Sequence, residues 1–310
     1  MPHTNERFHA RGSLAEMEWE SVVSDQMDGW SHAGLRVAEL TRGERLNLPS
    51  GVLERIIVPL AGSFQVTWFD EGGGTGSTSL EGRDSVFSGP SDVLYLGVGA
   101  ACSLSGVGRV AVAEAAATTR HPIRYIPKSE VEIELRGAGR SSRQVHNFGT
   151  PDSLQAGKLI VCEVITPAEN WSSYPAHKHD ENRPGLESRL EEIYYFEAAI
   201  AKGLEAPSDA DPFGLFMTSS SPAGDIDTHA TVRTGDIALV PFGYHGPAVA
   251  APGYDLYYLN VMAGPDAERA WRITDDPAQG WVRETWGSQA TDPRLPYLGT
   301  PRTDEGEAHG

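Results

Sequence analysis

The segment Gly235-Asp-Ile-Ala-Leu-Val-Pro-Phe-Gly-Tyr-His245 has a weak copy earlier in the chain, Ser91-Asp-Val-Leu-Tyr-Leu-Gly-Val-Gly-Ala-Ala101. In both segments an aspartate follows the first residue and a glycine stands two residues before the last, so the copies align at an offset of 144 residues. In the same chain order, Glu54-Arg-Ile-Ile-Val corresponds to Glu191-Glu-Ile-Tyr-Tyr at an offset of 137 residues. A repeat of this kind predicts two related units in tandem.

Short runs rich in β-branched and aromatic residues, separated by glycine and proline, recur along the chain. They are too short for a helical domain and are typical of strands. The predicted strands are 53–69, 92–96, 158–166, 192–197, 230–240 and 256–262. We therefore predict an all-β fold. The repeat divides the chain into an N-terminal extension (1–32), a first unit (33–150), a second unit (151–285) and a polar C-terminal tail (286–310).

The composition excludes several classes of function. The chain has 310 residues and a net charge of −18, which disfavours binding to the phosphate backbone of nucleic acid. No apolar run approaches the ~20 residues that a membrane-spanning helix needs. The two cysteines, Cys102 and Cys162, form no CxxC pair, and the N-terminus lacks a signal peptide pattern. We expect a cytoplasmic protein that binds neither nucleic acid nor membrane.

The stretch Ser173-Tyr-Pro-Ala-His-Lys-His-Asp180 contains two histidines, His177 and His179, separated by one residue. On a β-strand such side chains leave the same face about 6 to 7 Å apart, so both imidazoles can bind one ion. Glu192 opens a predicted strand, and His245 follows a Pro-x-Gly turn. Three imidazoles and one carboxylate suit a divalent metal that keeps positions open for a substrate oxygen. Zinc is favoured, with manganese and iron as alternatives.

This pattern resembles the paired motifs of the cupin superfamily, in which three histidines and one glutamate meet inside a small β-barrel. The resemblance implies a bicupin, with two tandem cupin barrels (double-stranded β-helices). The spacing departs from the family in one respect, because residues 180–191 separate His179 from Glu192, where cupins usually have a much shorter spacer. Glu191 therefore stays open as the ligand, although the match to Glu-hydrophobic-Tyr favours Glu192.

Longer stretches resemble the 5-deoxy-glucuronate isomerase family and occur in the family's order. They are SYPAHKHDENRPG, LEEIYYFE, GDIALVPFGYH, PGYDLYYLNVMAGP and ERAWRITDDP, and GRDSVFSGPSDVLYLGVG adds to the match in the first half. The resemblance implies an aldose–ketose isomerase with a bound divalent metal. Its reaction converts 5-deoxy-D-glucuronate to 5-dehydro-2-deoxy-D-gluconate in myo-inositol catabolism. No redox cofactor is needed for this chemistry, and the sequence contains no dinucleotide or P-loop motif.

The implied substrate is an anion, so an acidic chain needs a local positive group to bind it. Arginine suits this task because its planar guanidinium can pair with both carboxylate oxygens. Three arginines are candidates for binding the substrate carboxylate. They are Arg183, which follows the two histidines, Arg143, which precedes a strand-like segment, and Arg272.

Isomerisation between C1 and C2 also needs a group that moves a proton, unless a hydride shifts directly between the two carbons. A general base must lie within ~3 Å of the reacting carbon or reach it through one water. The candidates for this catalytic role are Asp180, Glu191 and Tyr257. Their positions in the sequence do not decide among them.

The first unit is expected to bind no metal. The repeat places Arg55 where the second unit has Glu192, and Ala101 where it has His245. We therefore expect one active site per chain, and exposed sheet edges predict a homo-oligomer. Two other functions stay open, a cupin metal-dependent dioxygenase and a non-enzymatic bicupin that binds a sugar acid, since a fold alone does not define a function.

Overall fold

The computed structural model describes residues 5–298 of the chain. In chain order the strands are β1 (Phe8–His9), β2 (Ser21–Val23), β3 (Ala33–Leu40), β4 (Arg45–Leu48), β5 (Leu53–Asp70), β6 (Thr75–Arg83), β7 (Val93–Leu96), β8 (Ala100–Ala116), β9 (Arg124–Ile126), β10 (Glu132–Arg136), β11 (Arg143–Gly149), β12 (Ile160–Thr166), β13 (Trp171–Ser172), β14 (His177–Lys178), β15 (Asp180–Arg183), β16 (Glu187–Arg189), β17 (Glu191–Ile200), β18 (Gly214–Ser219), β19 (His229–Val232), β20 (Ile237–Val240), β21 (Tyr244–Ala250), β22 (Tyr254–Ala263) and β23 (Thr274–Asp275).

Helical structure within residues 5–298 is limited to short pieces. One α-helical turn spans Val282–Thr285, and the 3₁₀ turns are Val86–Ser88, Lys128–Glu130, Gly139–Ser141 and Trp286–Ser288. Within the described ranges no helix has the length and apolar character needed to cross a membrane.

The N-terminal half forms an eight-stranded antiparallel sheet in the order β2-β3-β8-β5-β7-β9, with β4 on β8 and β6 on β5. Its two long strands, β5 and β8, pair along most of their length. Their register shifts between Pro59 and Ala61, and Gly62 then lies opposite Gly108, where a Cβ at residue 62 would overlap the carbonyl oxygen of Val107. One face of the sheet covers an apolar core that includes Leu94 and Leu104.

The C-terminal half forms a second barrel from two sheets. One has the order β1-β20-β17-β22-β12-β11-β10, and the other has the order β19-β18-β21-β14-β23 with β13 on β21. Side chains alternate between the two faces of β22, as the pleat of a strand requires. Leu256 and Tyr258 therefore face the interior of this barrel, whereas Tyr257 and Leu259 face the N-terminal half.

The two halves repeat the same strand pairing. In the first half β5 pairs with β7 so that Arg55 lies opposite Leu96, and in the second half β17 pairs with β20 so that Glu192 lies opposite Val240. This register confirms the repeat seen in the sequence. Arg55 occupies the position in the first half that Glu192 occupies in the second. Its Nε forms a buried ion pair with Glu114 Oε1 at 2.8 Å. The all-β, two-barrel architecture is the predicted one.

The boundary between the halves differs from the predicted boundary at residue 150. β10 and β11 pair with each other, and β11 pairs with β12, so residues 132–149 belong to the seven-stranded sheet of the C-terminal barrel. The prediction rested on two aligned pairs of segments that lie well inside each unit. The hairpin of β10 and β11 lies outside the aligned segments. The alignment therefore could not assign it to either unit.

The predicted extension and tail also pack against the barrels. β1 pairs with β20 of the C-terminal barrel, and β2 pairs with β3 of the N-terminal one. In the tail, Tyr297 is buried, and its hydroxyl donates to Asp255 Oδ2 at 2.9 Å. The segment 286–298 is therefore part of the folded structure, and residues 299–310 lie outside the described residues.

A buried charged cluster joins the two halves across their shared apolar core. Arg83 of the N-terminal half donates from Nη1 and Nη2 to the two carboxylate oxygens of Glu163 on β12, both at 2.6 Å. His146 Nδ1 lies 2.6 Å from the same carboxylate, and the Tyr257 hydroxyl donates to it at 2.7 Å. We call Arg83, Glu163, His146 and Tyr257 the inter-barrel clamp.

Candidate metal centre

The long spacer between the predicted histidine and glutamate ligands folds into a hairpin of its own. β15 and β16 pair with each other, and the chain turns at Gly185, whose φ of 76° lies in the left-handed region. At the base of the hairpin the Leu190 N–H donates to the His179 carbonyl at 2.9 Å. The inserted residues thus begin after His179 and end beside it, at Leu190. This return brings Glu192 next to His179 despite the unusual spacing.

Lys178 anchors this hairpin from the opposite face of the strand. Its Nζ donates to Asp180 Oδ1 at 2.6 Å and to Glu187 Oε1 at 2.8 Å, and all three residues are buried. Strand alternation directs Lys178 away from His177 and His179, as the sequence predicts. The buried ion pairs tie the residue between the two histidines to the hairpin that follows them.

A tight turn positions His245. Gly243 has a φ of 95°, and a Cβ there would lie 2.4 Å from Ile226 Cγ2 and 2.8 Å from the carbonyl oxygen of Ser219. Only glycine fits this turn without strain. β21 begins at the next residue and pairs with β14, so that His177 lies opposite His245.

Three of the four predicted ligands converge inside the C-terminal barrel, and the fourth lies beside them. His179, Glu192 and His245 each offer a ligand atom within 4.8 Å of the other two. Glu192 Oε2 lies 2.9 Å from His179 Nε2 and 3.0 Å from His245 Nε2. His177 lies beside this group, with its ring centroid 4.5 Å from that of His245.

Backbone carbonyl oxygens orient all three imidazoles. Each ring has its Nδ1 within 3.2 Å of a carbonyl oxygen, which belongs to Pro175 for His177, to Leu190 for His179 and to Gly243 for His245. A carbonyl oxygen only accepts hydrogen bonds, so Nδ1 carries the ring hydrogen and Nε2 presents a lone pair. This is the tautomer that binds a metal through Nε2.

The residues present fit a divalent cation. His245 Nε2 is buried and forms no hydrogen bond with any described residue, although the carboxylate of Glu192 lies 3.0 Å away. Imidazole lone pairs and a carboxylate oxygen at this separation repel each other unless a positive charge lies among them. Neutral imidazoles with one carboxylate are the donor set of a catalytic transition-metal site.

The electrostatic environment favours the ligating forms of these side chains. Burial lowers the pKa of His177 well below its usual value, and the neighbouring His245 adds to this effect, so the ring is neutral at physiological pH. Burial opposes ionisation of Glu192, but the adjacent imidazoles of His179 and His245 outweigh it and hold the pKa of Glu192 below its usual range. Burial opposes the charged form of His179 as well, but the hydrogen bond and the charge of Glu192 outweigh it and raise the pKa of His179. The site therefore combines an ionised Glu192 with a neutral His177.

A small cavity of about 30 Å³ adjoins the ligands. Besides His177 and Glu192, the polar side chains that line it are Arg136, Arg143, Ser173, Tyr194, Tyr258, Asn260 and Trp271. All of these can donate hydrogen bonds, and Glu192 is the one carboxylate among the described residues of the lining. Arg136 and Trp271 also line an outer groove of about 500 Å³. The lining suits an oxygen-rich anion.

Arg143 is the cation in this lining that lacks a carboxylate partner among the described residues. It is 5% exposed, and its Nη1 donates to the Ser141 carbonyl at 2.9 Å. The nearby Arg136 and Arg283 each pair with a carboxylate. Burial lowers the pKa of Arg143 to about 10, and the two neighbouring arginines add to this, so its guanidinium stays charged at neutral pH.

The structure places the other two predicted arginines away from this cavity. Arg183 Nη2 donates to Glu187 Oε2 at 2.5 Å and to Thr274 Oγ1 at 2.6 Å. Arg272 pairs with the exposed Glu268, with Nη1 2.9 Å from Oε2. Their guanidinium groups are therefore occupied by partners within the chain, at the hairpin and at the surface.

The three residues predicted to move a proton likewise do not line the cavity. Asp180 accepts a hydrogen bond from the N–H of Gly243 at 2.9 Å, so its carboxylate supports the ligand turn. Glu191 points out of the barrel and accepts from the N–H of His32 at 2.7 Å. Tyr257 lies on the far face of β22, where it belongs to the inter-barrel clamp.

Sequence reasoning missed several residues of the lining. Strand alternation offers a signal for two of them, because Tyr194 follows Glu192 by two residues on β17 and Asn260 follows Tyr258 by two on β22. Trp271 carries no such signal, since it lies in an irregular segment between β22 and β23.

Comparison with known proteins identifies the family. A model of the KduI/IolB family matches residues 8–282. The chain belongs to the KduI/IolB family. Two curated relatives, from Geobacillus kaustophilus (strain HTA426) and Bacillus subtilis (strain 168), are both named 5-deoxy-glucuronate isomerase. They are 38% and 34% identical to this chain over 274 and 257 residues, which cover 85% and 82% of it and 90% and 89% of their own sequences.

Solved structures agree with this assignment. A crystal structure of an IolB-like protein from Salmonella typhimurium LT2 matches with a TM-score of 0.78 and 34% identity, covering 89% of this chain and 99% of that one. An oxalate decarboxylase from Lactobacillus farciminis, in a formate complex, matches with a TM-score of 0.61 and 11% identity over 89% and 90%. At that identity the match concerns the fold, and this KduI/IolB member is a bicupin.

Proposed function

We propose that this KduI/IolB member is a metal-dependent aldose–ketose isomerase of myo-inositol catabolism. It converts 5-deoxy-D-glucuronate to 5-dehydro-2-deoxy-D-gluconate. The observation that carries the proposal is that Arg143, an arginine without a carboxylate partner among the described residues, lines the same small cavity as His177 and Glu192 of the ligand set. The names of the curated relatives support the same reaction.

His177, His179, Glu192 and His245 are the residues that would hold a divalent ion, and their nitrogen-rich donor set favours zinc. A metal bound there supplies Lewis-acid stabilisation of charge on the sugar oxygens at C1 and C2. The carbonyls that fix each Nδ1 keep the three rings in place for this task.

Arg143 binds the carboxylate of the substrate. Its guanidinium can form two parallel hydrogen bonds with the carboxylate oxygens, which sets the direction of the bound chain. His177 and Glu192 line the same cavity, so the aldehyde end of a substrate held by Arg143 would face them once the cavity, about 30 Å³ in this structure, widens to admit the substrate. Fixing both ends of a flexible acid lowers the entropic part of the barrier.

The isomerisation moves one hydrogen from C2 to C1 and one proton from the C2 hydroxyl to the C1 oxygen. The substrate is therefore neither oxidised nor reduced overall. The rings of Tyr194 and Tyr258, which both line the cavity, pack together with 5.1 Å between their centroids. We expect this aromatic wall to limit the access of water to the reacting carbons.

Elemental analysis combined with an isomerase assay tests the proposal. We expect the purified wild type to hold about one divalent metal ion per chain, as such a ligand set does, and to convert 5-deoxy-D-glucuronate. The His177→Ala/His179→Ala variant is expected to lose both properties. Metal without turnover would favour a bicupin that binds a sugar acid, and activity that requires oxygen would favour a dioxygenase. Absence of metal from the wild type would reject the site.

Replacing Arg143 by Met is expected to raise the KM for 5-deoxy-D-glucuronate about 100-fold, because a bidentate charge-assisted contact is lost. The matched control is Arg272→Met, which removes a predicted arginine that pairs with Glu268 at the surface. Steady-state kinetics and metal analysis of both variants check this. A raised KM in the control with an unchanged KM in Arg143→Met would assign the carboxylate to the other residue.

The expected homo-oligomer and the cytoplasmic location remain predictions. Light scattering of the purified protein measures the first, and cell fractionation measures the second.

A further inference from the structure

Asn260 is buried, yet its side-chain nitrogen has no hydrogen-bond partner in the part of the chain that the structure describes. The residue is 4% exposed, and its Nδ2 forms no hydrogen bond. An unpaired amide in an apolar interior is destabilising, and asparagine is disfavoured in strands. Folding alone therefore gives no reason for asparagine at this position.

Asn260 faces the cavity that contains the metal ligands. On β22 it lies opposite Tyr194 of β17, while the neighbouring pair on the same face is Glu192 opposite Met262. Side chains on such a diagonal lie about 7 to 8 Å apart. Both Asn260 and Glu192 line the cavity, so one small ligand can contact both.

The neighbours of Asn260 among the described residues leave its amide unpaired. Cys162, opposite it on β12, and Met262, two residues along β22, offer only sulfur, which is a weak acceptor. The hydroxyl of Tyr194 pairs with Ser173 Oγ at 2.8 Å. An oxygen atom of a ligand in the cavity would supply the acceptor that the amide lacks.

We propose that Asn260 is a substrate-binding residue whose amide donates a hydrogen bond to a sugar oxygen at the reacting end, beside Glu192. This inference rests on the proposed isomerase function and names the group that complements Arg143, which takes the carboxylate at the other end. Negative charge develops on the oxygens of C1 and C2 as hydrogen moves between the carbons. A fixed donor at this place therefore stabilises the transition state more than the bound substrate.

The test replaces Asn260 by Leu, which removes the amide at similar volume. We expect kcat/KM for 5-deoxy-D-glucuronate to fall about 100-fold, as for other lost donors to a developing oxyanion. The Kd, measured by calorimetry, is expected to rise about fivefold, as for one lost hydrogen bond. Metal content stays unchanged, and the Tm does not fall, because the wild-type amide stabilises nothing inside the protein.

The matched control is Asn170→Leu. Asn170 is equally buried, but its Nδ2 donates to the Ser142 carbonyl and to Asp292 Oδ2, both at 2.9 Å. This variant is expected to lose Tm and to keep kcat/KM and Kd. A second cavity variant, Asn260→Asp, replaces the hydrogen-bond donor by a negatively charged hydrogen-bond acceptor. This variant is expected to lose more activity than Asn260→Leu. If Asn260→Leu does not fold, Asn260→Asp is used to test the proposal in its place.

The outcomes separate this inference from the proposed function. If wild type turns over the substrate and Asn260→Leu keeps its kcat/KM within threefold, or loses activity only because it loses metal, the role of Asn260 is refuted. If wild type binds 5-deoxy-D-glucuronate without converting it, the isomerase function is refuted. The Kd values of wild type and Asn260→Leu then decide whether Asn260 contacts the ligand. A weaker Kd in the variant then supports the contact, and an equal Kd overturns it. A wild type that neither binds nor converts the substrate refutes both.

Discussion

Replacing Glu192 by Gln is expected to remove most of the bound metal and to lower isomerase kcat about 1000-fold. The carboxylate is the charged member of a set in which its Oε2 lies about equally close to His179 and His245, at 2.9 and 3.0 Å. A neutral amide of the same shape cannot supply that charge. Lewis-acid stabilisation is worth several kcal/mol, and each 1.36 kcal/mol corresponds to about a tenfold change in rate. Elemental analysis and steady-state kinetics measure the two effects.

Glu191→Gln is the matched control, because it changes the adjacent carboxylate in the same way. Glu191 accepts hydrogen bonds from the N–H groups of Ser31 and His32 at 3.0 and 2.7 Å, on the opposite side of β17 from the imidazoles. We expect this variant to keep its metal and to lose some thermal stability. If Glu191→Gln loses metal while Glu192→Gln keeps it, the assignment of the ligand is reversed.

The convergence of His179, Glu192 and His245 could be predicted from the sequence because the residues of the proposed ligand set are tied to local patterns. His177 and His179 share a strand face at i and i+2, and His245 follows a turn that needs glycine at residue 243. The unusual spacer did not disturb this prediction, since it folds into a separate hairpin that closes between His179 and Leu190. The insertion therefore changes neither the i, i+2 spacing of His177 and His179 nor the glycine turn before His245.

The proposed substrate-binding residues were harder to predict because their selection depends on what lies around each side chain. Arg143, Arg183 and Arg272 look alike in the sequence, and only the structure distinguishes them by their partners. The same holds for Asn260, whose unpaired amide becomes evident once the strands on both sides are known. Burial and pairing are long-range properties that a single sequence does not encode locally.

Among the substitutions proposed for this protein, those that break the inter-barrel clamp are expected to lower the free energy of unfolding most. Arg83 and Glu163 are fully buried and joined by two hydrogen bonds of 2.6 Å across the two halves. Removing one partner leaves the other charge buried without its counter-charge, which costs about 3 to 5 kcal/mol. We therefore expect Arg83→Met to lower the free energy of unfolding by that amount. Urea denaturation measures it.

The pH dependence offers an independent check on the clamp. Burial would raise the pKa of Glu163, but Arg83 and His146 outweigh it and lower this pKa from 4.5 to about 2. A carboxyl whose folded pKa is depressed stabilises the protein above its unfolded pKa. Its contribution is lost as pH falls from about 4.5 towards 2. Glu163→Gln should lack this part of the acid dependence.

A double-mutant cycle decides whether the clamp acts as a pair. The double variant Arg83→Met/Glu163→Gln should be less destabilised than the sum of the single variants, because neither charge is then left alone in the core. Arg233→Met, which breaks an exposed ion pair with Asp211, is the control and should leave the free energy of unfolding nearly unchanged. Additive losses in the cycle would show that Arg83 and Glu163 contribute separately. The two halves would then be held together by their apolar core instead of by this ion pair.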